Sequence, residues 1–97
     1  MREVSSAVAF SPPWPSPAHG SVHLSYVLPR SSRVSQSIHD VAGRLARQVS
    51  SDEWMPSGRH DTVWNGEAAR GPAAAGIYLA RLVVNGASYE RRFAWTP

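Results

Sequence analysis

The sequence predicts an all-β domain, an antiparallel β-sandwich of about seven short strands, and three observations carry that prediction. Apolar and polar residues alternate over Val22 to Leu28, Val34 to Ile38 and Tyr89 to Trp95, the period of a strand with one buried face. Residues that favour turns separate these runs at short intervals. Asn85-Gly86 follows the most apolar run as a two-residue hairpin signal, because a type I′ turn demands positive φ at both central positions.

Taken in order, residues 11–20 (Ser-Pro-Pro-Trp-Pro-Ser-Pro-Ala-His-Gly) hold four of the eight prolines. Proline lacks an amide hydrogen and restricts its predecessor, so residues 1–20 read as a linker or edge-strand lead-in and residues 21–97 as the domain. Val22, Leu24, Tyr26 and Leu28 then point one way, and Ser21, His23 and Ser25 the other. Pro29 ends that strand and Ser31-Ser32 supply the turn. The next strand, Val34 to Asp40, places Gln36 on its inner face, where an amide needs a partner or an edge position. Asp40-Val41-Ala42-Gly43 reads as a tight turn, with Gly43 at positive φ.

A third strand is expected over Arg44 to Ser50. A helix over 37–49 competes, since Ile38, Val41, Leu45 and Val49 have helical spacing, but Gly43 costs it about 1 kcal/mol relative to alanine. Polar Ser50 to Gly58 is expected to be a loop, and His60 to Trp64 a fourth strand. Residues 65–76, with three glycines and five alanines, suit an irregular connection. Ile77 to Val84 reads as a central strand apolar on both faces, and Tyr89, Arg91, Phe93 and Trp95 share one face of the returning strand. Leu24, Ile38, Trp64 and Tyr78 are the expected core.

Composition narrows the function. Ninety-seven residues, 42% apolar and 18% charged, make one packed domain, too apolar for a disordered tail. All ten basic residues are arginines, scattered from Arg2 to Arg92, and a net charge of +3 without a cluster does not make a nucleic-acid footprint. With no cysteine there is no disulfide, zinc knuckle or thiol nucleophile. No window approaches the roughly eighteen apolar residues of a membrane helix. Residues 1–20 hold no apolar run of signal-peptide length, so no signal peptide is expected within this chain.

No segment has the grammar of an active site, and none of the serines stands in a nucleophile motif. The glycine-rich stretch Gly66 to Gly76 lacks the ending of a phosphate loop. His19 and His23, if on one strand, stand about 13 Å apart, too far for a shared metal ion. In His39-Asp40 and His60-Asp61 the neighbours point to opposite faces, which defeats acid–base pairing. Asp61, Asn65 and Glu67 match no calcium cage, and Asn65 suits a turn better. Neither metal nor cofactor is expected. The tryptophans divide: Trp64 and Trp95 read as core, while Trp14 and Trp54 lie among proline or polar residues, where they either cap the open ends of a small sandwich, the commoner role, or stand exposed to stack on a sugar ring or a partner surface.

An ordered set of pieces resembles a known family: Trp14-Pro15-Ser16-Pro17-Ala18, Val22 to Pro29, and Val34 to Arg44 with its Asp40-Val41-Ala42-Gly43-Arg44 turn. Ser57-Gly58-Arg59-His60, Trp64-Asn65-Gly66, Gly71 and Ala75-Gly76-Ile77-Tyr78 complete it. Over residues 12–95 the chain resembles the bacterial immunoglobulin-like domain named after the hook-capping protein FlgD, and is similar to the C-terminal sorting modules of type IX secretion. It departs from that pattern at Asn65, usually an aspartate, at Ala68, usually polar, and at Gln36, usually aliphatic. The resemblance implies an Ig-like or fibronectin-like β-sandwich serving as a non-enzymatic spacer, sorting or protein-interaction module of a larger secreted or cell-envelope protein. Its partner would be a protein or the rest of the polypeptide, and Arg91-Arg92 could echo a basic sorting tail. The alternative is a small carbohydrate-binding module that holds a polysaccharide with Trp14 and Trp54.

Overall fold

A computed structural model describes residues 7–97. The described chain is all β, without a helix, and no helix is long and apolar enough to cross a membrane. Six strands are long: β3 (Val22–Leu28), β4 (Ser32–Asp40), β5 (Leu45–Met55), β6 (Gly58–Trp64), β9 (Gly76–Val84) and β10 (Ala87–Thr96). Four are two residues each: β1 (Ala9–Phe10), β2 (Ala18–His19), β7 (Glu67–Ala68) and β8 (Gly71–Pro72). The expectation of about seven strands therefore undercounts the short edge pairs.

The strands form a three-stranded sheet in the order β1-β3-β6, a five-stranded sheet β2-β10-β9-β4-β5, and the small pair β7-β8. The five-stranded sheet is not purely antiparallel, because β2 runs parallel to β10, with Trp95 opposite Ala18 and Thr96 opposite His19. This arises where the proline-rich segment crosses from one sheet to the other: β1 pairs with β3, whereas β2 lies beside the last strand. Gly20, at φ 81°, then turns the chain back to β3. His19 and His23 consequently sit in different sheets, not on one strand.

Alternation decides which face is buried. Val22, Leu24, Tyr26 and Leu28 of β3, with Phe10 and Trp64, join Val34 and Ile38 of β4, Tyr78, Ala80, Leu82 and Val84 of β9, and Phe93 and Trp95 of β10 in one buried cluster. All four residues expected in the core are there. Trp64 is its aromatic hub, with ring centroids 5.7 Å from Tyr78, 6.1 Å from Phe93 and 4.9 Å from Trp95. Each large side chain buried this way contributes about 1.5–3 kcal/mol.

Two expectations fail: the loop over Ser50 to Gly58 and the two apolar faces of Ile77 to Val84. Ser50 to Met55 is strand, not loop, because β5 continues along β4 as far as the pairing of Ser32 with Met55. It does so at the sheet edge, where exposed polar residues suffice, with register shifts between Val34 and Gln36, Gln36 and Ser37, and Ile38 and His39. Asp52 adopts φ 49°, and its N–H donates to Ser35 Oγ at 2.9 Å. The helix over 37–49 does not form. Strand β9 is buried on one face only, with Ile77 exposed and Arg81 paired to Glu90 on the other.

Candidate functional site

The polar tips of three core aromatics hold the 65–76 connection. Trp64 Nε1–H donates to the Glu67 carbonyl at 2.9 Å, Tyr78 O–H to that of Ala74 at 2.7 Å, and Trp95 Nε1–H to that of Ala73 at 3.4 Å. Asn65 Oδ1 accepts the Glu67 N–H at 3.2 Å, closing an Asx turn. Asn65 and Glu67 thus serve the loop scaffold. Among the described residues no three histidine, aspartate or glutamate side chains gather as a metal set.

The histidines are dispersed. His19 Nδ1 lies 3.0 Å from Thr96 Oγ1, His39 Nε2 2.9 Å from Ser37 Oγ, and His60 Nε2 2.8 Å from the Pro56 carbonyl. His60 faces Tyr26, with ring centroids 5.2 Å apart, while Asp61 points to the opposite face and accepts from Ser25 Oγ–H. Arg59 adds an ion pair to Asp61 at 3.3 Å. These two contacts, the serine first, hold the Asp61 carboxyl below its ordinary range. Asp40 is lowered too, chiefly by the Arg44 backbone N–H in the Asp40–Arg44 turn, with the Arg44 guanidinium adding to it. Tyr26 is raised by burial and by the Glu53 charge across from it.

Trp14 and Trp54 are both exposed, at 49% and 63%. Trp14 stacks flat on His23, with centroids 3.9 Å apart and planes 5° from parallel, and the two residues exchange backbone hydrogen bonds of 3.2 and 2.8 Å. Val63, opposite His23 in register and 55% exposed, extends this aromatic corner on the outer face of the three-stranded sheet. Trp54 stands opposite Arg33 on the outer face of the five-stranded sheet. The two indoles therefore lie on opposite sides of the molecule and form no common platform. Arg91, half of the suggested basic tail, donates from Nε to the Phe10 carbonyl at 2.8 Å and ties β10 to β1.

Sequence reasoning missed a cleft of about 370 Å³ between the neighbouring strands β5 and β6, lined by Arg47, Val49, Thr62, Trp64 and Glu67 among others. Its signal was hidden because half of β5 was read as loop. Behind Thr62, whose hydroxyl donates to Gln36 Oε1 at 3.4 Å, the buried Gln36 Nε2 has no partner among the described residues. The Gln36 backbone carbonyl also accepts from Gln48 Nε2 at 3.3 Å.

Two open sheets around a shared aromatic core define a small all-β domain of FlgD-like fold. Comparison with solved structures bears this out. The chain is similar to part of dimeric latent PorU from Porphyromonas gingivalis, at 20% identity and a TM-score of 0.71, over 92% of this chain and 9% of that one. It is also similar to FlgD from P. aeruginosa, at 17% identity and a TM-score of 0.55, over 97% of this chain and 74% of that one. The resemblance read from the sequence is thus present in the fold. No family model and no curated protein matches the chain.

Proposed function

We propose that this chain is a non-catalytic Ig-like β-sandwich module, a spacer, sorting or protein-interaction domain of a larger secreted or cell-envelope bacterial protein. The observation that carries this reading is that 92% of the chain corresponds to only 9% of the PorU chain, the proportion of one module in a long polypeptide. Its elongated body, 48 × 24 × 19 Å, suits a spacer. In this reading residues 21–97 are the domain body and residues 1–20 its lead-in. Reading the genomic DNA on both sides of the coding segment tests it. In-frame sequence for a further domain and an export signal is expected, and stop codons closing the frame on both sides would overturn it.

A carbohydrate-binding role is the second reading, favoured by the exposure of Trp14 and Trp54. Because the two indoles lie on opposite sides, each would form a separate stacking site for a sugar ring. Tryptophan fluorescence titrated with a panel of polysaccharides tests it: a saturable shift lost in Trp14→Ala or Trp54→Ala supports it, and no shift with any polysaccharide removes it.

A further inference from the structure

Among the described residues the two larger sheets end in four edges, and three are protected. Strands β1 and β2 are two residues long. Strand β5 carries three register shifts, and its Ala46 carbonyl is capped by the Ala69 N–H at 2.9 Å. Short, bulged or covered edges are how β-proteins avoid unwanted pairing. Strand β6 has none of these devices: seven residues, Gly58 to Trp64, pair with β3 in unbroken register, and nothing pairs with their other side among the described residues.

Which backbone groups lie open follows from the β3 pairing. His23 exchanges both backbone hydrogen bonds with Trp14, and the Ser25 carbonyl accepts from Ser11, so odd-numbered residues of β3 turn their backbone groups away from β6. In an antiparallel ladder hydrogen-bonded and non-bonded pairs alternate. Val63, Asp61 and Arg59, the register partners of His23, Ser25 and Val27, therefore point their N–H and C=O groups off the free edge. A strand added there has alternate side chains on the inner side, one opposite Thr62, which lines the cleft between β5 and β6, and one opposite His60, beyond it.

Charge runs in a definite order along the inner face of β5. Arg47, opposite the buried Ile38, lines the cleft beside Thr62 and Trp64. Glu53, opposite the buried Val34, lies beyond the cleft, farther along β5, where its charge reaches Tyr26, the partner of His60. Neither side chain makes an ion pair among the described residues, whose ion pairs involve Arg33, Arg44, Arg59 and Arg81. Glu67 also lines the Arg47 end, but from β7, beyond the end of β6.

We propose that the free edge of β6 accepts an extended polypeptide segment as an added antiparallel strand, selected by an acidic side chain toward Arg47 and, two residues later, a basic one toward Glu53. Backbone pairing supplies the attachment, and the alternate side chains supply the choice, as in other cases of strand addition. An acceptor on the incoming acidic side chain also offers the buried Gln36 Nε2–H a partner. The inference refines the interaction role proposed above, but its test reads strand addition alone, so its failure leaves the reading as a module of a longer polypeptide standing.

The test uses two capped peptides of equal composition, acetyl-Thr-Val-Glu-Val-Lys-Val-Thr-amide and its charge-swapped form with Lys before Glu. Backbone amide exchange of the 97-residue chain, followed by NMR, should show protection of Arg59, Asp61 and Val63 with the first peptide. It should bind about threefold or more tightly than the swapped one, the scale of a partly exposed ion pair. The double variant Arg47→Glu, Glu53→Arg should reverse the preference. Val63→Pro, which removes an outward N–H that β3 does not use, should abolish protection while keeping the thermal transition. Absence of protection at the three amides, equal binding of the two peptides, or an unreversed preference in the double variant would each overturn the proposal. Protection that grows with protein concentration without peptide would overturn it in favour of self-pairing.

Discussion

Gly66 shows how tightly a single position is determined. It adopts φ 88°, and a Cβ placed there runs into the indole of Trp95, which is itself buried. Gly66→Ala combines backbone strain with overpacking and should cost about 2–4 kcal/mol in urea unfolding. Trp64, in contact with three other aromatic rings, should cost about 3–5 kcal/mol on truncation to alanine. An unchanged urea midpoint in either variant would contradict its place in the core. The lowered carboxyls of Asp61 and Asp40 make stability depend on acid pH. Their folded pKa values lie below the unfolded ones, so the stability they add is present above about pH 4 and lost as the pH falls through the folded values. Ser25→Ala removes the main cause of the Asp61 shift, and its stability should fall less steeply below about pH 4 than that of the parent protein, followed by urea unfolding at each pH.

At the scale of elements, the hairpin β9–β10 carries the clearest link from sequence to structure. Asn85 and Gly86 take φ 48° and 89°, and Val84 pairs with Ala87, as a type I′ turn requires. The turn also docks: Asn85 N–H donates to the Arg33 carbonyl at 2.9 Å, and its Oδ1 accepts the Arg33 N–H at 3.0 Å, joining the hairpin to β4. Gly86→Val forces a β-branched residue into positive φ and should destabilise by about 1–3 kcal/mol, seen as a lower denaturation midpoint. Elements with one buried face, such as β3 and β4, were legible because burial imposes alternation. The second half of β5 was not, since an exposed edge strand is held by backbone pairing to β4 and asks nothing apolar of Ser51, Asp52 and Glu53. For the same reason the cleft beside it was invisible. The parallel pairing of β2 was illegible because two residues carry no periodicity, and it depends on where the proline-rich segment crosses between sheets. The stacking of Trp14 on His23 was not legible, because it depends on a pairing across the strand that no local pattern encodes.

At the scale of the molecule, sixteen buried apolar side chains among the described residues form one cluster between the two main sheets, and the described polar groups that drew attention in the sequence are spent on turns, edges and loop contacts. That division of labour suits a module whose surface, not its interior, does the work. If such a module belongs to a longer polypeptide, as proposed above, the size of the native protein reveals it. An antibody raised against this domain, used on an immunoblot of cells and culture medium of the source organism with mass spectrometry of the band, should detect a species several times longer than 97 residues. A native product no longer than this chain would contradict the account.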